Sequence, residues 1–343
     1  MTGTPRSSRN PTMRDVARLA GVSQRTVSNV VNDYRHVTPE TRDRVRAAIE
    51  TLGYRPNVAA QRLREGRTGV IALAVPSLTW PYFSDIAHLI QQAAHQAGRT
   101  LLVAETEGNA SFERNVLRGF RTNLIDGLIL SPIELGAGEL HEMDLGIPVV
   151  LLGERIQDVG MLHLSTDNVV GAREVAAHLH DRGARTFFLL GSTRTMMTSS
   201  AGALRLRGFA EEFAARGVAP EAWREVPVSP WTQEGAYEVM LEELQRGPLP
   251  DAVACMNDLL AFGALRACAE LGIDVPGQLL VTGWDDIALS RFSVPSITTV
   301  SPDKGAIAEQ AVAGLLGLID GQDVNLADVV VPHSLVVRES TGR

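Results

Sequence analysis

The sequence predicts an α/β body made of two doubly wound parallel-sheet subdomains, preceded by a small all-α domain at the N-terminus. Three observations predict this fold class. Short helical patterns with capping residues fill the N-terminal segment. From residue 70 onwards, short apolar runs alternate with longer helical patterns, which is typical of parallel α/β folds. That alternation occurs as two consecutive series, so we expect two sheets.

Charge is distributed unevenly along the 343 residues. Residues 1–68 hold 13 Arg, no Lys and 6 Asp or Glu, which gives a net charge of +7. The whole chain carries −8, so residues 69–343 carry −15. A basic segment attached to an acidic body indicates a polyanionic partner such as nucleic acid. Lys304 is the single lysine beside 31 Arg. We attribute this to the base composition of the gene and to no binding chemistry.

Composition and missing motifs exclude several classes of protein. No apolar run approaches the ~20 residues that span a bilayer, and residues 1–11 lack the apolar stretch of a signal peptide, so we expect a cytoplasmic, nucleoid-associated protein without a membrane partner. Cys255 and Cys268 lie far from any second pair and indicate reduced core thiols, with no disulfide or metal site. A phosphate-binding Gly-rich loop, a His-Glu-x-x-His pattern and a Gly-x-Ser-x-Gly elbow are all missing, so we expect neither an enzyme nor a cofactor.

Two short helices are predicted at the start of the chain. Thr12 and Asp15 form a capping-box pattern for the first helix, which ends at Gly21 because glycine turns there without steric cost. Ser23 can cap a second helix that continues to about Asn32. A miniature core is expected to form between the two helices from Val16, Ala17, Ala20, Val22, Val27 and Val30.

The second helix then presents Gln24, Arg25, Ser28 and Asn29 outwards. Gln and Asn form paired hydrogen bonds with adenine and Arg with guanine, so this face suits a major groove. The alternative is an ordinary solvated helix face. A third helix, with Thr38 as its cap and Gly53 at its end, favours the DNA-binding interpretation.

A fourth helical stretch begins at Pro56 and Asn57. It covers about eight residues, fewer than the ~12 to 15 that persist alone in water. A segment that orders on DNA and inserts Leu63 between minor-groove base steps would explain this length. A linker helix whose leucine packs on the body is the alternative.

Residues 12–64 resemble the headpiece and hinge helix of the LacI/GalR family of bacterial transcriptional repressors. The resemblance rests on Asp15-Val-Ala, Ala20-Gly-Val-Ser, Thr26-Val-Ser and Val30-Val-Asn. It implies that Gln24, Arg25 and Asn29 read bases and that Leu63 intercalates. The full set of DNA-contacting residues predicted on this basis is Thr12, Ser23, Gln24, Arg25, Thr26, Ser28, Asn29, Asn32, Tyr54, Asn57, Ala60 and Leu63.

Apolar runs in the body predict its strands. The first series comprises Val70–Val75, Leu101–Ala104, Gly127–Leu130 and Val149–Leu152, and the second Phe187–Leu190, Ala252–Cys255 and Leu279–Gly283. Doubly wound sheets bind ligands at the carboxyl ends of their strands. The candidates there are Trp80, Pro81, Tyr82, Phe83, Ser131, Glu154, Arg155, Asn257, Asp258, Trp284, Asp285 and Asp286. Each alone is more often a loop residue, and we expect Asp258 to be a helix cap.

Residues 70–338 are similar to the periplasmic-binding-protein-like effector domain of the same family, through motifs such as Asp167-Asn168, Arg205-Leu-Arg-Gly-Phe209 and Gly283-Trp-Asp-Asp286. The resemblance implies that Arg205, Asn257 and Asp285 bind the effector. A guanidinium, an amide and a carboxylate suit vicinal hydroxyls, and Trp231 either stacks on a sugar ring or packs in the core. The predicted effector site is Trp80, Tyr82, Phe83, Ser131, Arg155, Arg205, Trp231, Asn257 and Asp285. The segment between Gly191 and Arg205 is longer than is usual for the family.

The sequence thus predicts a ligand-responsive transcriptional regulator, which we expect to be a repressor. We expect a homodimer on a pseudo-palindromic operator and a sugar-like effector, with a nucleobase or other metabolite acting as corepressor as the alternative. A transporter's solute-binding protein is a remote alternative. The predicted domains are a headpiece (1–56), a hinge helix and linker (57–68), and an effector-binding and dimerisation domain (69–343). Within the last, one subdomain covers about 69–165 and 301–328, and the other about 166–300 and 329–343.

Overall fold

The computed structural model describes residues 11–31, 34–54, 67–119, 124–142, 146–154, 156, 160–192 and 200–342. The chain divides into two compact units, Met1–Thr68 and Gly69–Arg343. Among the described residues, no helix combines the length and the apolar character that a membrane crossing requires. The predicted contacts at Asn32, Asn57, Ala60, Leu63 and Arg155, most of the hinge helix, and the extended segment 193–199 lie outside the described residues.

The N-terminal unit contains three described helices: α1 (Met13–Ala20), α2 (Gln24–Val31) and α3 (Pro39–Leu52). The Asp15 carboxylate accepts a hydrogen bond from the Thr12 backbone N–H at 3.0 Å, as the capping-box pattern predicted. The Ser23 hydroxyl accepts one from the Thr26 N–H at 3.0 Å and so begins α2. Gly21 has φ 65° and turns the chain between the first two helices, which sets them at an angle.

All three helices share one small core. It contains the predicted Val16, Ala17, Ala20, Val27 and Val30, with Val22 partly buried at its edge, and three residues from outside the first two helices: Val45, Ala48 and Tyr54. Tyr54 is only 9% exposed. Its ring therefore stabilises the headpiece fold, and a DNA contact through this residue stays a prediction.

The first subdomain of the body is a six-stranded parallel sheet with strand order β11-β5-β4-β3-β1-β2. Its strands are β1 (Val70–Val75), β2 (Thr100–Glu105), β3 (Gly127–Leu130), β4 (Val149–Leu152), β5 (Leu162–Thr166) and β11 (Asp328–Val331). Its helices are α4 (Pro81–Gln96), α5 (Ala110–Gly119), α6 (Ala137–Glu142) and α11 (Lys304–Ile319). We call this subdomain the first lobe.

The second lobe has strand order β12-β10-β9-β8-β6-β7, in which β12 alone runs antiparallel to its neighbour. Its strands are β6 (Phe187–Leu190), β7 (Trp223–Val226), β8 (Ala252–Cys255), β9 (Leu280–Trp284), β10 (Thr298–Pro302) and β12 (His333–Val336). Its helices are α7 (Asn168–Asp181), α8 (Ala201–Ala215), α9 (Gln233–Arg246) and α10 (Asp258–Leu271), with short 3-10 turns at Pro220–Ala222, Ala288–Arg291 and Glu339–Thr341.

Two parallel-sheet lobes confirm the predicted fold class, and the chain passes between them after β5, after β10 and after β11. The third passage lies about three residues later than the predicted 328/329 boundary. The reason is that Val329, Val330 and Val331 pair with Leu164, Ser165 and Thr166 in the first sheet. The strands β5, β7, β10 and β11 were not predicted.

Helices α7 and α8 pack closely because Gly208 leaves space between them. A Cβ atom at Gly208 would lie 2.3 Å from the Val169 carbonyl oxygen and 2.8 Å from the Ala172 Cβ. Both obstacles are backbone or near-backbone atoms that cannot move aside. Gly208 lies one turn beyond Arg205 and therefore sets how closely that side chain approaches the start of α7.

We expect Gly208→Ala to lower the stability of the protein by roughly 1–3 kcal/mol, since overpacking forces the two helices apart. The melting temperature should fall by about 2–4 °C per kcal/mol. Gly138→Ala on α6 is the control, because a methyl group there meets nothing within 4 Å. Calorimetry of both variants tests this, and equal melting temperatures would contradict it.

Candidate functional site

A cavity of about 510 Å³ lies in the body, lined by residues of both lobes. Many of its walls are formed where strands end, as expected for facing doubly wound sheets. Its lining comprises Trp80, Pro81, Tyr82, Phe83, Ile86, Ser131, Pro132, Ile133, Glu134, Leu152, Gly153, Glu154, Thr166, Asn168, Ser200, Ala201, Gly202, Arg205, Ser229, Trp231, Asn257, Leu259, Trp284, Asp285, Ile287 and Pro302. This volume suits a small organic molecule.

Eight of the nine predicted effector-binding residues line this single cavity, and the ninth, Arg155, lies outside the described residues. The eight come from six separate parts of the chain, between Trp80 and Asp285. The structure brings them together, while their contact with an effector stays a prediction.

Arg205 is the centre of the cavity wall. Its side chain extends from α8 and the residue is 7% exposed. Nε donates to the Asn168 Oδ1 at 2.7 Å, Nη1 donates to the Met256 carbonyl oxygen, and the guanidinium lies 4.0 Å from the centroid of the Trp284 ring. Burial lowers the pKa of Arg205, against the opposing effect of the nearby Asp285 and Glu154 carboxyl groups.

The guanidinium keeps hydrogen-bonding capacity for a ligand. Among the described residues, Arg205 forms no ion pair with a carboxylate, and its hydrogen bonds come from Nε and Nη1 but not from Nη2. Two neutral acceptors and an aromatic ring therefore fix its position and leave its remaining N–H groups for an acceptor in the cavity. A hydroxyl or carbonyl oxygen of a bound molecule fits this role.

Asp285 faces the same cavity from the end of β9. Burial raises the pKa of its carboxyl to about 8, and Arg205 and Lys304 counteract that rise. Its φ of 102° is unusual for a residue with a side chain, and Asp286 follows with φ 47°. We call these two residues the Asp285–Asp286 turn. Strain of this kind persists where surrounding contacts over-determine the backbone, and it occurs often at functional sites.

Glu154 and Asn168 line the cavity and connect the two lobes through a hydrogen bond. The Asn168 amide nitrogen donates to the Glu154 Oε1 at 2.7 Å, while its amide oxygen accepts from Arg205. Glu154 follows β4 of the first lobe, and Arg205 belongs to the second. Tyr82 lies close to these charges, and its pKa is raised by burial and further by Glu154 and Asp285. Its phenol therefore stays protonated and can donate to a ligand.

Aromatic rings cover much of the remaining wall. Trp80 and Phe83 lie 5.9 Å apart between ring centroids, and Tyr82 packs edge-on against Phe83 at 5.1 Å. Trp231 lines the cavity from the second lobe, and its Nε1–H donates to the Gly191 carbonyl oxygen at 3.0 Å. That hydrogen bond fixes the indole and leaves its ring face available for stacking.

The cap of α10 is a different residue from the one that the sequence suggested. The cap of α10 is Asn257, whose Oδ1 accepts from the Leu260 N–H at 2.9 Å, so the expectation that Asp258 caps this helix is wrong. Asp258 is fully buried and accepts hydrogen bonds from Ile287, Ser290 and Thr299 at 2.7–2.9 Å. Burial raises its pKa to about 6. Asn257 retains its amide nitrogen for a ligand.

Several lining residues were missed by sequence reasoning. Thr166 and Pro302 end strands β5 and β10, which were not predicted, and Asn168 was noted only as part of a motif. The signal that would have found them is the same position after a strand. Within the described part of the chain, no group of three or more His, Cys, Asp or Glu residues is arranged to hold a metal ion.

The headpiece carries a second candidate surface. Gln24 and Arg25 are exposed on α2, and Ser28 and Asn29 are half-buried beside them, while Val27 and Val30 on the same helix fill the core. Thr12 and Ser23 are exposed at the helix starts, and Thr26 is half-buried. The predicted base-reading side chains therefore share the solvent-facing side of one helix that α1 and α3 support.

Comparison with protein families gives two matches. Residues 12–57 match the family described as bacterial regulatory proteins, lacI family. Residues 176–341 match the periplasmic binding protein-like domain. Both agree with the resemblance that the sequence motifs indicated.

Similar proteins extend over nearly the whole chain. The HTH-type transcriptional repressor PurR of Mannheimia succiniciproducens is 30% identical over 342 residues, covering 96% of this chain and 98% of that protein. The HTH-type transcriptional regulator GalR of Escherichia coli is also 30% identical, covering 96% and 95%. These relatives are transcription regulators and none of them is an enzyme.

Solved structures show the same architecture. The lac repressor dimer bound to operator and the anti-inducer ONPF superposes with a TM-score of 0.86 at 29% identity, covering 98% of this chain and 100% of that one. The transcriptional regulator CelR in complex with cellobiose superposes with a TM-score of 0.69 at 28% identity, covering 96% and 99%.

We expect Asp285→Asn to stabilise the protein at pH 8. The folded state keeps a proton on Asp285 up to about pH 8, whereas an unfolded chain loses it near pH 4. The unfolded state therefore binds fewer protons in this interval, and stability falls as the pH rises. Asparagine tolerates the positive φ and removes that dependence.

Melting temperatures measured between about pH 6 and pH 8.5 test this prediction, with a gain for Asp285→Asn of at least about 2 °C at the upper end. Asp320→Asn, at an exposed position on the first lobe, is the control for loss of one negative charge. A variant that melts below the wild type at every pH would refute the assignment.

Proposed function

Because the chain belongs to the LacI family of bacterial regulatory proteins, we propose that it represses transcription by binding an operator through its headpiece, under the control of a small molecule held in the body cavity. The chain is a DNA-binding transcriptional regulator and not an enzyme. The observation that carries the proposal for the small molecule is the cavity itself, in which a buried guanidinium, a carboxyl group and an amide converge.

We favour a sugar or sugar derivative as the effector. Arg205, Asp285 and Asn257 offer donors and acceptors for neighbouring hydroxyl groups, and Trp231 offers a flat apolar face of the kind that packs on a sugar ring. The similar regulator CelR binds cellobiose in its solved structure.

A nucleobase is the second candidate, and the aromatic side chains favour it. Trp80, Tyr82 and Phe83 could stack on a planar base while Arg205 and Asp285 bind its polar edge. The proposal of an effector-controlled regulator holds for either ligand.

We expect the regulator to act as a homodimer, since one recognition helix reads too few base pairs for useful specificity. Exposed apolar side chains support a second copy of the chain as the partner. Leu289, Phe292 and Val294 are 57%, 70% and 95% exposed in the segment after β9, and Leu102 and Val103 are exposed on the edge strand β2. Exposed apolar side chains grouped within one short segment, as at 289–294, are typical of association surfaces.

The effector is expected to act by changing the angle between the lobes. Cavity residues belong to both lobes, so a bound molecule favours one separation over others. In a dimer, that change would alter the spacing of the two predicted hinge segments, residues 57–68, and thereby the affinity for operator DNA. The coupling is reciprocal: an effector that weakens operator binding is bound more weakly by the operator complex, by the same factor.

A ligand screen tests the effector site. Thermal-shift assays with monosaccharides, disaccharides including cellobiose, and nucleobases should yield a compound that raises the melting temperature, with about 2.7 kcal/mol of stabilisation expected at 100 times its Kd. Arg205→Met should abolish the shift. Arg207→Met is the matched control, because Arg207 lies on the same helix with its side chain 59% exposed.

The same compound must change operator affinity in a gel-shift titration. A ligand that leaves operator affinity unchanged at saturation would refute regulation through this cavity. If Arg205→Met and Arg207→Met lose effector binding equally, Arg205 is not an effector-binding residue.

A separate prediction concerns the headpiece. Arg25→Ala should reduce discrimination between an operator, identified by in vitro selection, and random DNA by about 1–3 kcal/mol, because Arg25 is expected to read a base. Arg44→Ala, on the exposed side of α3, should weaken binding to both DNAs equally if that residue contacts phosphate. Equal losses on both DNAs for Arg25→Ala would contradict its reading role.

A further inference from the structure

Lys304, the only lysine of the protein, occupies an unfavourable position. It is the first residue of α11, directly after the chain passes from β10 of the second lobe into the first. A positive charge at a helix N-terminus opposes the helix dipole. Its side chain is also only 14% exposed, so hydration cannot offset that repulsion fully. Other contacts must therefore stabilise the ammonium group here.

Two oxygen atoms do so, one from each lobe. The Lys304 Nζ lies 2.6 Å from the Asp85 Oδ2 and donates to the Asp286 carbonyl oxygen at 3.1 Å. Asp85 belongs to α4, two residues after Phe83 of the cavity wall. Asp286 directly follows Asp285 in the second lobe. One ammonium group thus joins the aromatic wall of the first lobe to the turn that carries the effector-facing carboxyl.

The Asp285–Asp286 turn needs such support because both residues have positive φ. Arg338 binds the Asp286 carboxylate at 2.6 Å, and the Asp285 N–H donates to the Val300 carbonyl oxygen at 2.9 Å. Both partners belong to the second lobe. Among the described contacts that fix the turn, the hydrogen bond from Lys304 is the one whose donor also binds a residue of α4, namely Asp85.

We propose that Lys304 is a positioning residue for the effector site, which ties the Asp285–Asp286 turn to helix α4 so that movement of the first lobe is transmitted to Asp285. The idea that Asp285 meets an effector rests on the proposed function, whereas the mechanical link does not. Asp85 sets the ammonium in place, Lys304 holds the turn, and Asp285 keeps its orientation towards Arg205.

Charges around the turn are consistent with this role. Asp285 is influenced by Arg205, Asp258, Lys304 and Glu154, and Lys304 counteracts the rise of its pKa. Loss of the lysine would therefore change both the backbone of the turn and the charge that faces its carboxyl.

Hydrogen exchange on the full-length protein, without ligand or DNA, tests the link directly. Mass spectrometry of peptides that cover residues 283–290 reports the Asp285 and Ile287 amides, which donate to Val300 and Asp258. Lys304→Met should speed their exchange by about tenfold, as expected for loss of a charged hydrogen bond. Lys304→Arg should restore part of the protection.

Asp85→Asn is the decisive variant, since it changes only the first lobe. It should speed exchange in the turn, and the effect should vanish in the Lys304→Met background, because the two residues act through one another. Glu139→Gln is the matched control: it breaks another first-lobe ion pair, with Arg114 at 2.6 Å, that is not connected to the turn.

An unchanged turn in Asp85→Asn overturns the proposal. Equal acceleration in Glu139→Gln also overturns it, since the effect would then be a general loosening of the lobe. Arg338→Met should loosen the turn without affecting exchange in residues 81–88. This result distinguishes Arg338, which supports the turn from within the second lobe, from Lys304, which connects the turn to both lobes. No outcome depends on the identity of the effector, so failure here leaves the proposed function standing.

Discussion

The site depends on the burial of one guanidinium that, within the described part of the chain, no carboxylate contacts as an ion pair. A buried charge is costly unless fixed groups compensate for it. Arg205 receives that compensation from the Asn168 amide, a backbone carbonyl and the face of Trp284. These contacts constrain the surrounding sequence. Gly208 lets α8 approach α7, and a Cβ at Gly171 would lie 2.7 Å from the Trp284 ring. Small residues therefore surround the arginine, because its partners must lie where larger side chains would collide.

The same arrangement makes the cavity sensitive to the separation of the lobes. Asn168 begins α7 directly after a passage between the lobes, and its two amide atoms bind Glu154 of the first lobe and Arg205 of the second. The amide nitrogen also donates to the Thr166 carbonyl oxygen at 3.0 Å, so three contacts hold the amide in one orientation. If the lobes move apart, the Glu154 bond must lengthen, because Asn168 and Arg205 both belong to the second lobe. Asn168 would then lose the contact that orients its amide, and this amide is one of the two hydrogen-bond acceptors that position Arg205.

Sequence reasoning located the elements whose signal is local. Strands such as Val70–Val75 and Gly127–Leu130 are continuous buried apolar runs, and helix α3 carries its own start and stop residues. The missed strands contain polar residues that are satisfied over long distances. In β10, the Thr298 hydroxyl donates to the Arg338 carbonyl oxygen, 40 residues away, and Thr299 donates to Asp258, 41 residues away. Position after a predicted strand identified nine of the 26 residues that line the cavity. The role of Asp258 could not be found that way, because its three partners come from distant parts of the chain.

The amino-acid composition alone did not indicate a structural role for Lys304. A single lysine among 31 arginines suggests only a bias of the genome, yet this lysine lies where its ammonium group meets two oxygen atoms. A compact ammonium can face a carboxylate on one side and a carbonyl on another, whereas a planar guanidinium favours oxygens lying in its own plane. Asp85 and the Asp286 carbonyl approach from different lobes. The exception to the arginine bias thus occurs where one cation contacts oxygen atoms of both lobes.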